Sequence, residues 1–279
     1  MLSPVHHEPL PSIDGYRVGR LIGTGRVARI YLADDERRGG KVAVKVLKRE
    51  NAQSEPARRA FAAECAISSC IRHEHVVRVV EHSAGGDPAY LAMEYLPGGN
   101  LRERMRAGVD EQTAVSLLRQ AAGALAAAHR RAIVHRDVKP ENFLMRASGA
   151  PVLADFGVAA ARGHTGPRVA PGELVGTPSY AAPEQAQGEL PTAAADVYSL
   201  GVMFYEMLCG RRPFTGPTPL EVLSQHLVAA VPPLPAQFSH YQPLIGRMLE
   251  KRPKYRLADA DAVAQEIMRV APAGMGMPS

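Results

Sequence analysis

The chain has 279 residues, 46% of them apolar and 22% charged, with 33 basic and 28 acidic side chains giving a net charge of +5. Such a length serves one large domain or two lobes with separate cores, and the composition excludes a disordered chain. No basic run is interleaved with aromatics, so the small positive excess reads as a dispersed basic surface and not as a nucleic-acid face.

Cys65, Cys70 and Cys209 lack metal-ligand spacing and lie in apolar stretches. An odd count with no secretion signal fits buried thiols in a reducing cytosol. Residues 1–11 contain no apolar export core, and the longest apolar run, near Val197–Leu208, is broken by Ser199, Gly201 and Glu206. The expectation is a cytoplasmic chain with no membrane segment.

After a tail at 1–14, residues 16–33 read as two extended segments around the turn Gly23-Thr24-Gly25. A further strand spans Lys41–Leu47, and a helical pattern follows from Pro56 to Arg72, with Phe61, Ile67 and Ile71 on one face and Glu64 beside it. Strands are predicted at Val76–Glu81 and Tyr90–Glu94, and Leu96-Pro97-Gly98-Gly99 marks a hinge. Beyond it the pattern is mainly helical: Asp110–Arg131, the apolar Ala194–Cys209, then Glu221–Leu227, Tyr241–Leu249 and Ala258–Val270. Strands first and helices later predict an α+β chain with a small lobe at 15–95, a large lobe at 96–270, and a mobile tail at 271–279.

The densest chemistry lies in His135-Arg136-Asp137-Val138-Lys139-Pro140-Glu141-Asn142-Phe143, with Asp155-Phe156-Gly157 beginning 13 residues after Asn142. Asp137 can accept a proton from an attacking hydroxyl, and Lys139 can neutralise charge on a transferring phosphoryl group. Asn142 and Asp155 supply hard oxygens for Mg²⁺. Gly23-x-Gly25-x-x-Ala28 is a weak signal alone. A strand follows it, then another carrying Lys45, which fits a β-hairpin over phosphates and disfavours a dinucleotide fold. Lys45 in an apolar strand needs a partner or a snorkelling path to solvent.

On these motifs the chain resembles a protein kinase catalytic domain, and more narrowly the eukaryotic-like (Hanks-type) serine/threonine kinases of bacteria. The resemblance runs from about Gly15 to Val270. It implies a bilobal fold, with a small β-rich lobe carrying one key helix and a larger, mainly helical lobe. It implies Lys45 on the nucleotide's α/β-phosphates, paired with Glu64. Ile22, Ile30, Ala43 and Leu144 would sandwich adenine, Met93 would back the pocket, and the Glu94–Leu96 backbone would meet the base edge. Ala28, in third glycine place, would stiffen the loop tip or hold it off the phosphates. Lys139 and Thr177 point to the serine/threonine subclass, with the Thr177 hydroxyl near Asp137 and Lys139. Glu184 would pair with Arg256, Asp196 would receive backbone hydrogen bonds from the catalytic loop, and His135 would pack structurally.

The implied activity is transfer of the γ-phosphoryl group of ATP, with Mg²⁺ or Mn²⁺, to serine or threonine of protein substrates, the chain itself included. A nucleotide-binding pseudokinase scaffold is the alternative; Lys45, Asp137 and Asp155 are all present against it. Lys139 and Ala182-Pro183-Glu184 argue against a small-molecule kinase. Family analogy adds phosphothreonine-binding (FHA-type) partners, and a C-terminal membrane span and sensor domain beyond Ser279 are compatible with it. Arg136 suggests control by activation-loop phosphorylation, yet between Asp155 and Gly176 the only hydroxyl side chain is Thr165. The frequent threonine pair falls on Val169 and Pro171. Weak dependence on that phosphorylation is therefore expected, or dependence on Thr165 alone, with Glu173 as a stand-in charge. Ser68 fills poorly a position where the family stacks a larger side chain, so help from a partner, with a homodimer considered, is expected for the active helix position.

Overall fold

The computed structural model describes residues 9–161 and 177–271. They divide into two compact units: one holds residues up to Ser69 together with Arg78–Tyr95, the other Cys70–Val77 and the chain from Leu96 onward.

The smaller unit is built on β1 (Tyr16–Thr24), β2 (Ala28–Asp35), β3 (Lys41–Leu47), β4 (Val79–Ser83) and β5 (Tyr90–Glu94), in the antiparallel order β1-β2-β3-β5-β4. Facing residues of antiparallel neighbours share a side of the sheet, and the side alternates along each strand. One side therefore carries the cluster of Tyr16, Tyr31, Ala33, Val42, Val44, Val46 and Ala92, closed by Ile13. The opposite side carries a row in which Ile30 faces Gly23 and Lys45 and Lys45 faces Leu91, and a second row of Leu32, Ala43 and Met93. Both sides being covered explains why β3 reads as an almost continuous apolar run interrupted by Lys45.

The helix of this unit, α1 (Glu55–Cys70), buries Phe61, Glu64, Cys65 and Ser68. The expected face of Phe61, Ile67 and Ile71 holds in part: Phe61 is buried, Ile71 is buried just past the helix end, and Ile67 is only half-buried. A carboxylate and a hydroxyl take core positions that apolar periodicity assigns elsewhere. The expectation of three buried thiols also fails, since Cys65 is buried, Cys70 exposed and Cys209 half-buried.

Val76–Glu81 does not form one strand. Val77 N donates to Leu153 O at 2.9 Å and Leu153 N to His75 O at 2.8 Å, so residues 75–77 pair within the larger unit while β4 starts at Val79. The larger unit continues with α2 (Leu101–Arg106), α3 (Glu111–His129), β6 (Ile133–Val134), β7 (Phe143–Met145), β8 (Pro151–Leu153) and β9 (Ala160–Ala161). Then come α4 (Pro183–Ala186), α5 (Ala193–Cys209), α6 (Pro219–Val228), α7 (Gln242–Met248) and α8 (Ala260–Val270). Asn100 caps α2 in a reciprocal box with Glu103, and Asp110 caps α3 through Thr113 N at 2.7 Å. Gly98 is required by space: a Cβ there would sit 2.5 Å from Met145 O.

Helix α5 is buried nearly all round, from Ala194 to Leu208 with only Glu206 half-exposed in that span. Such a helix must lie at the centre of its unit. Gly201 lets α7 approach, since a Cβ there would come within 2.8 Å of Met248 Cβ. Among the described residues no helix is long and apolar enough to cross a membrane. The α+β class and the division into a strand-rich and a helix-rich part agree with the fold expected from sequence.

Candidate functional site

In the smaller unit, Lys45 Nζ lies 2.5 Å from Glu64 Oε1, with the two side chains 12% and 5% exposed. Helix α1 thus supplies the counter-charge that an ammonium on an apolar sheet face requires. Burial, with Glu64 adding to it, pushes the neighbouring Cys65 thiol up to about 12. Gly23, Ile30, Ala43 and Met93 stand on the same sheet side as Lys45, by the pairing Gly23–Ile30–Lys45 and Ala43–Met93. Ile22 precedes Gly23 on β1 and is half-buried. Glu94 faces Val42 on the other side, and its Oε1 accepts from Arg78 N at 2.9 Å.

The glycine turn differs from expectation. Strand β1 runs through Thr24, and Gly25 N donates to Ala28 O at 2.9 Å, so that N–H closes the turn. Ala28 opens β2 opposite Leu47 and is 2% exposed. Its methyl group packs into the core and does not occupy the loop tip.

In the larger unit, Lys139 Nζ donates to Asp137 Oδ2 at 2.6 Å and to Thr177 Oγ1 at 2.8 Å, while Thr177 Oγ1 donates to Asp137 Oδ1 at 3.0 Å. Asn142 Nδ2 donates to Asp137 O at 2.7 Å and Oδ2 at 3.1 Å. The amide nitrogen of Asn142 is thereby spent on the loop, which leaves its oxygen as the atom for a cation. Asp155 is exposed, with φ at +61°. An amide oxygen and a carboxylate are a hard donor set that fits Mg²⁺ or Mn²⁺. Leu96 and Leu144 also belong to this unit, Leu96 buried and Leu144 half-buried on β7.

The loop is held from beneath. Asp196 of α5 accepts from His135 N and Arg136 N, both at 2.8 Å, and lies 2.9 Å from His129 Nε2. Burial raises the Asp196 pKa, but the hydrogen bond and charge of His129, then His135, outweigh it and hold the carboxyl below the ordinary range. Arg136 has φ at +68°, a conformation that costs ~1–3 kcal/mol and persists only where its surroundings impose it. Asp196 imposes it from one side, and Gln185 Nε2, donating to Arg136 O at 2.9 Å, from the other. His135 is fully buried, edge-on to Phe156 at 4.9 Å between ring centres, which is a packing role. Arg256 closes on Glu184 at 2.8 and 3.1 Å, with side chains 0% and 3% exposed.

A model of the protein kinase domain matches residues 16–269. The chain belongs to the protein kinase domain family. Curated relatives are named as serine/threonine-protein kinases: drp72 of Corynebacterium efficiens is 38% identical over 263 residues, covering 91% of this chain and 50% of that protein. PknA of Mycobacterium tuberculosis is 38% identical over 261 residues, covering 89% and 60%. PknB of that species is 33% identical over 270 residues, covering 92% and 43%. The chain spans about half the length of the first relatives it matches, 50% and 56%.

As a protein kinase domain the chain has supporting side chains that motif reading passes over. His129 and Gln185 brace the catalytic loop from 67 and 49 residues away in sequence from their partners, and Arg102 joins Glu206 across 104. No local pattern announces contacts of that separation. Arg136 Nε is buried with no hydrogen-bond partner among the described residues, and burial, partly opposed by Asp196, lowers its pKa. Thr165, Val169, Pro171, Glu173 and Gly176, on which the regulatory expectations rest, lie outside the described residues. Ser68 is 3% exposed on the inner face of α1.

Proposed function

We propose that the chain is an ATP-dependent protein serine/threonine kinase. The observation that carries this is the closed triangle of Asp137, Lys139 and Thr177, which puts a proton acceptor, a cation and a hydroxyl within hydrogen-bond distance of one another. An incoming serine or threonine hydroxyl meets the Asp137 carboxylate beside Thr177, whose own hydroxyl stays bonded to Asp137 and Lys139. Asp137 orients that hydroxyl and accepts its proton late in the transfer, because a carboxylate is a weak base at neutral pH. Lys139 offsets negative charge as the phosphoryl group moves.

Lys45, held by Glu64, contacts the α/β-phosphates. Ile22, Gly23, Gly25, Ile30, Ala43, Met93, Glu94, Leu96 and Leu144 hold the nucleotide, with adenine against the apolar members. Asn142 and Asp155 would bind Mg²⁺, and Mn²⁺ second. When bound, that ion would neutralise phosphate charge. Protein substrates include the chain itself. Phosphothreonine-binding partners of the FHA type complete the proposal on family resemblance, a homodimer on the small Ser68 side chain, a cytoplasmic location on the cysteine pattern, and lobes bounded at 15–95 and 96–270 on the order of strands and helices.

Incubation with γ-labelled ATP, Mg²⁺ and candidate proteins, followed by mapping of the label, tests this. Phosphoserine or phosphothreonine is expected; label on tyrosine alone, or on a small molecule alone, contradicts it.

A further inference from the structure

One charged cluster of the larger unit has no part in the chemistry described so far. Arg102 of α2 donates Nε to Glu141 Oε1 at 2.8 Å and Nη1 to Glu206 Oε1 at 2.9 Å, and its Nη2 meets the Tyr180 hydroxyl. Tyr180 in turn donates to Glu206 Oε2 at 2.5 Å. The side chains of Arg102 and Glu206 are 17% and 12% exposed, whereas Glu141 is 44% exposed, so the cluster opens to solvent on the Glu141 side. Burial alone would lower the Arg102 pKa, but Glu141 and Glu206 outweigh it and keep the guanidinium charged. Burial, then Glu206, raises the Tyr180 phenol far above its ordinary value.

The position of the cluster matters as much as its charge. Glu141 is four residues beyond Asp137 in the same loop, and Tyr180 is three beyond Thr177, whose hydroxyl is bonded to Asp137. At ~3.6 Å per residue at most, the backbone of these residues lies within roughly 11–14 Å of the acceptor groups. An extended peptide covers distances up to that limit in at most about four residues. Two carboxylates flanked by a phenol form a receptor for a planar, forked cation. Here the chain's own arginine already sits in it.

We propose that Arg102 is a specificity-determining residue: an internal guanidinium that fills the Glu141–Glu206–Tyr180 receptor beside the acceptor groups and denies it to basic side chains of a protein substrate. This rests on the kinase function proposed above. With the seat taken, arginine near the acceptor gains nothing from Glu141 and Glu206. Without Arg102, the two carboxylates keep no counter-charge among the described residues and recruit one from the substrate.

The test compares wild type and Arg102→Met on paired peptides bearing a site that wild type modifies, with arginine or alanine two to four residues from the acceptor. The ratio of kcat/KM values, arginine over alanine, should be near one for wild type and rise about tenfold in R102M. An unchanged ratio in an active R102M overturns the proposal. Should R102M lose activity on both peptides, millimolar methylguanidinium decides, read against tetramethylammonium at equal ionic strength. It should raise the thermal midpoint of R102M and not that of wild type, and no response in R102M overturns the assignment. Absence of transfer by wild type would instead contradict the kinase function, while the methylguanidinium arm still tests the seat of Arg102.

Discussion

Thr177 Oγ1 donates to Asp137 Oδ1 at 3.0 Å while accepting from Lys139 Nζ at 2.8 Å. A residue 40 positions along the chain is thus fastened to the catalytic loop through its hydroxyl. Thr177→Ala should lower kcat about 10–100-fold with little change in the KM for ATP, and Thr177→Ser should restore most of it. Steady-state kinetics on the two variants check this; equal loss in both would assign the effect to the methyl group.

Lys45 and Glu64 form a buried pair at 2.5 Å. Lys45→Met removes the ammonium from a carboxylate that is 5% exposed, at a cost of about 3 kcal/mol, the low end for such pairs because Lys45 retains some exposure. The double variant with Glu64→Gln should recover most of that stability and none of the phosphate transfer. Urea midpoints and a transfer assay separate the two effects. Additive losses in stability would show that the pair is not coupled.

Arg256 and Glu184 are almost completely enclosed, at 0% and 3% exposure, and Arg256 also donates to Ala194 O at 2.6 Å. Glu184→Ala leaves a buried guanidinium with one fewer acceptor group and should destabilise the larger unit by roughly 3–5 kcal/mol. Thermal unfolding of the variant is the check, and a change below about 1 kcal/mol would be inconsistent with this burial.

His226 is fully buried against Tyr198, whose hydroxyl lies 2.9 Å from Nδ1. Burial, then the nearby Lys251 charge, lowers its pKa to about 4. An unfolded histidine titrates near 6.5, so between those values the unfolded chain binds the extra proton. Stability is therefore complete above about pH 6.5 and falls as pH drops towards 4, by roughly 3 kcal/mol over the window. His226→Gln should flatten that part of the pH–stability curve, whatever its effect at neutral pH. A variant curve parallel to wild type would exclude His226 as the cause.

The motifs from His135 to Asn142 and at Asp155–Gly157 were legible because they are local and their chemistry is carried by side-chain type. Strand β3 and helix α5 were legible for the same reason, each being a short or long apolar run with clear ends. Three features were not. The inner face of α1 is half polar because Glu64 is satisfied by a strand 19 residues earlier. The segment 75–77 pairs with Leu153 and not with β5, a choice that β propensity cannot make. Motif reading puts Ala28 at a loop tip, yet its burial follows from the register of β2 on β3. Each miss concerns a partner distant in sequence, where tertiary pairing overrides local pattern.

The role of Asp137 is tested most directly by comparing wild type with Asp137→Asn, measuring nucleotide binding and phosphate transfer separately. The variant should bind ATP and Mg²⁺ about as tightly as wild type while transfer to serine or threonine falls by roughly 1,000-fold or more. Comparable transfer by both proteins, or nucleotide binding by wild type with no transfer under any condition, would contradict it; the second outcome would favour a nucleotide-binding scaffold.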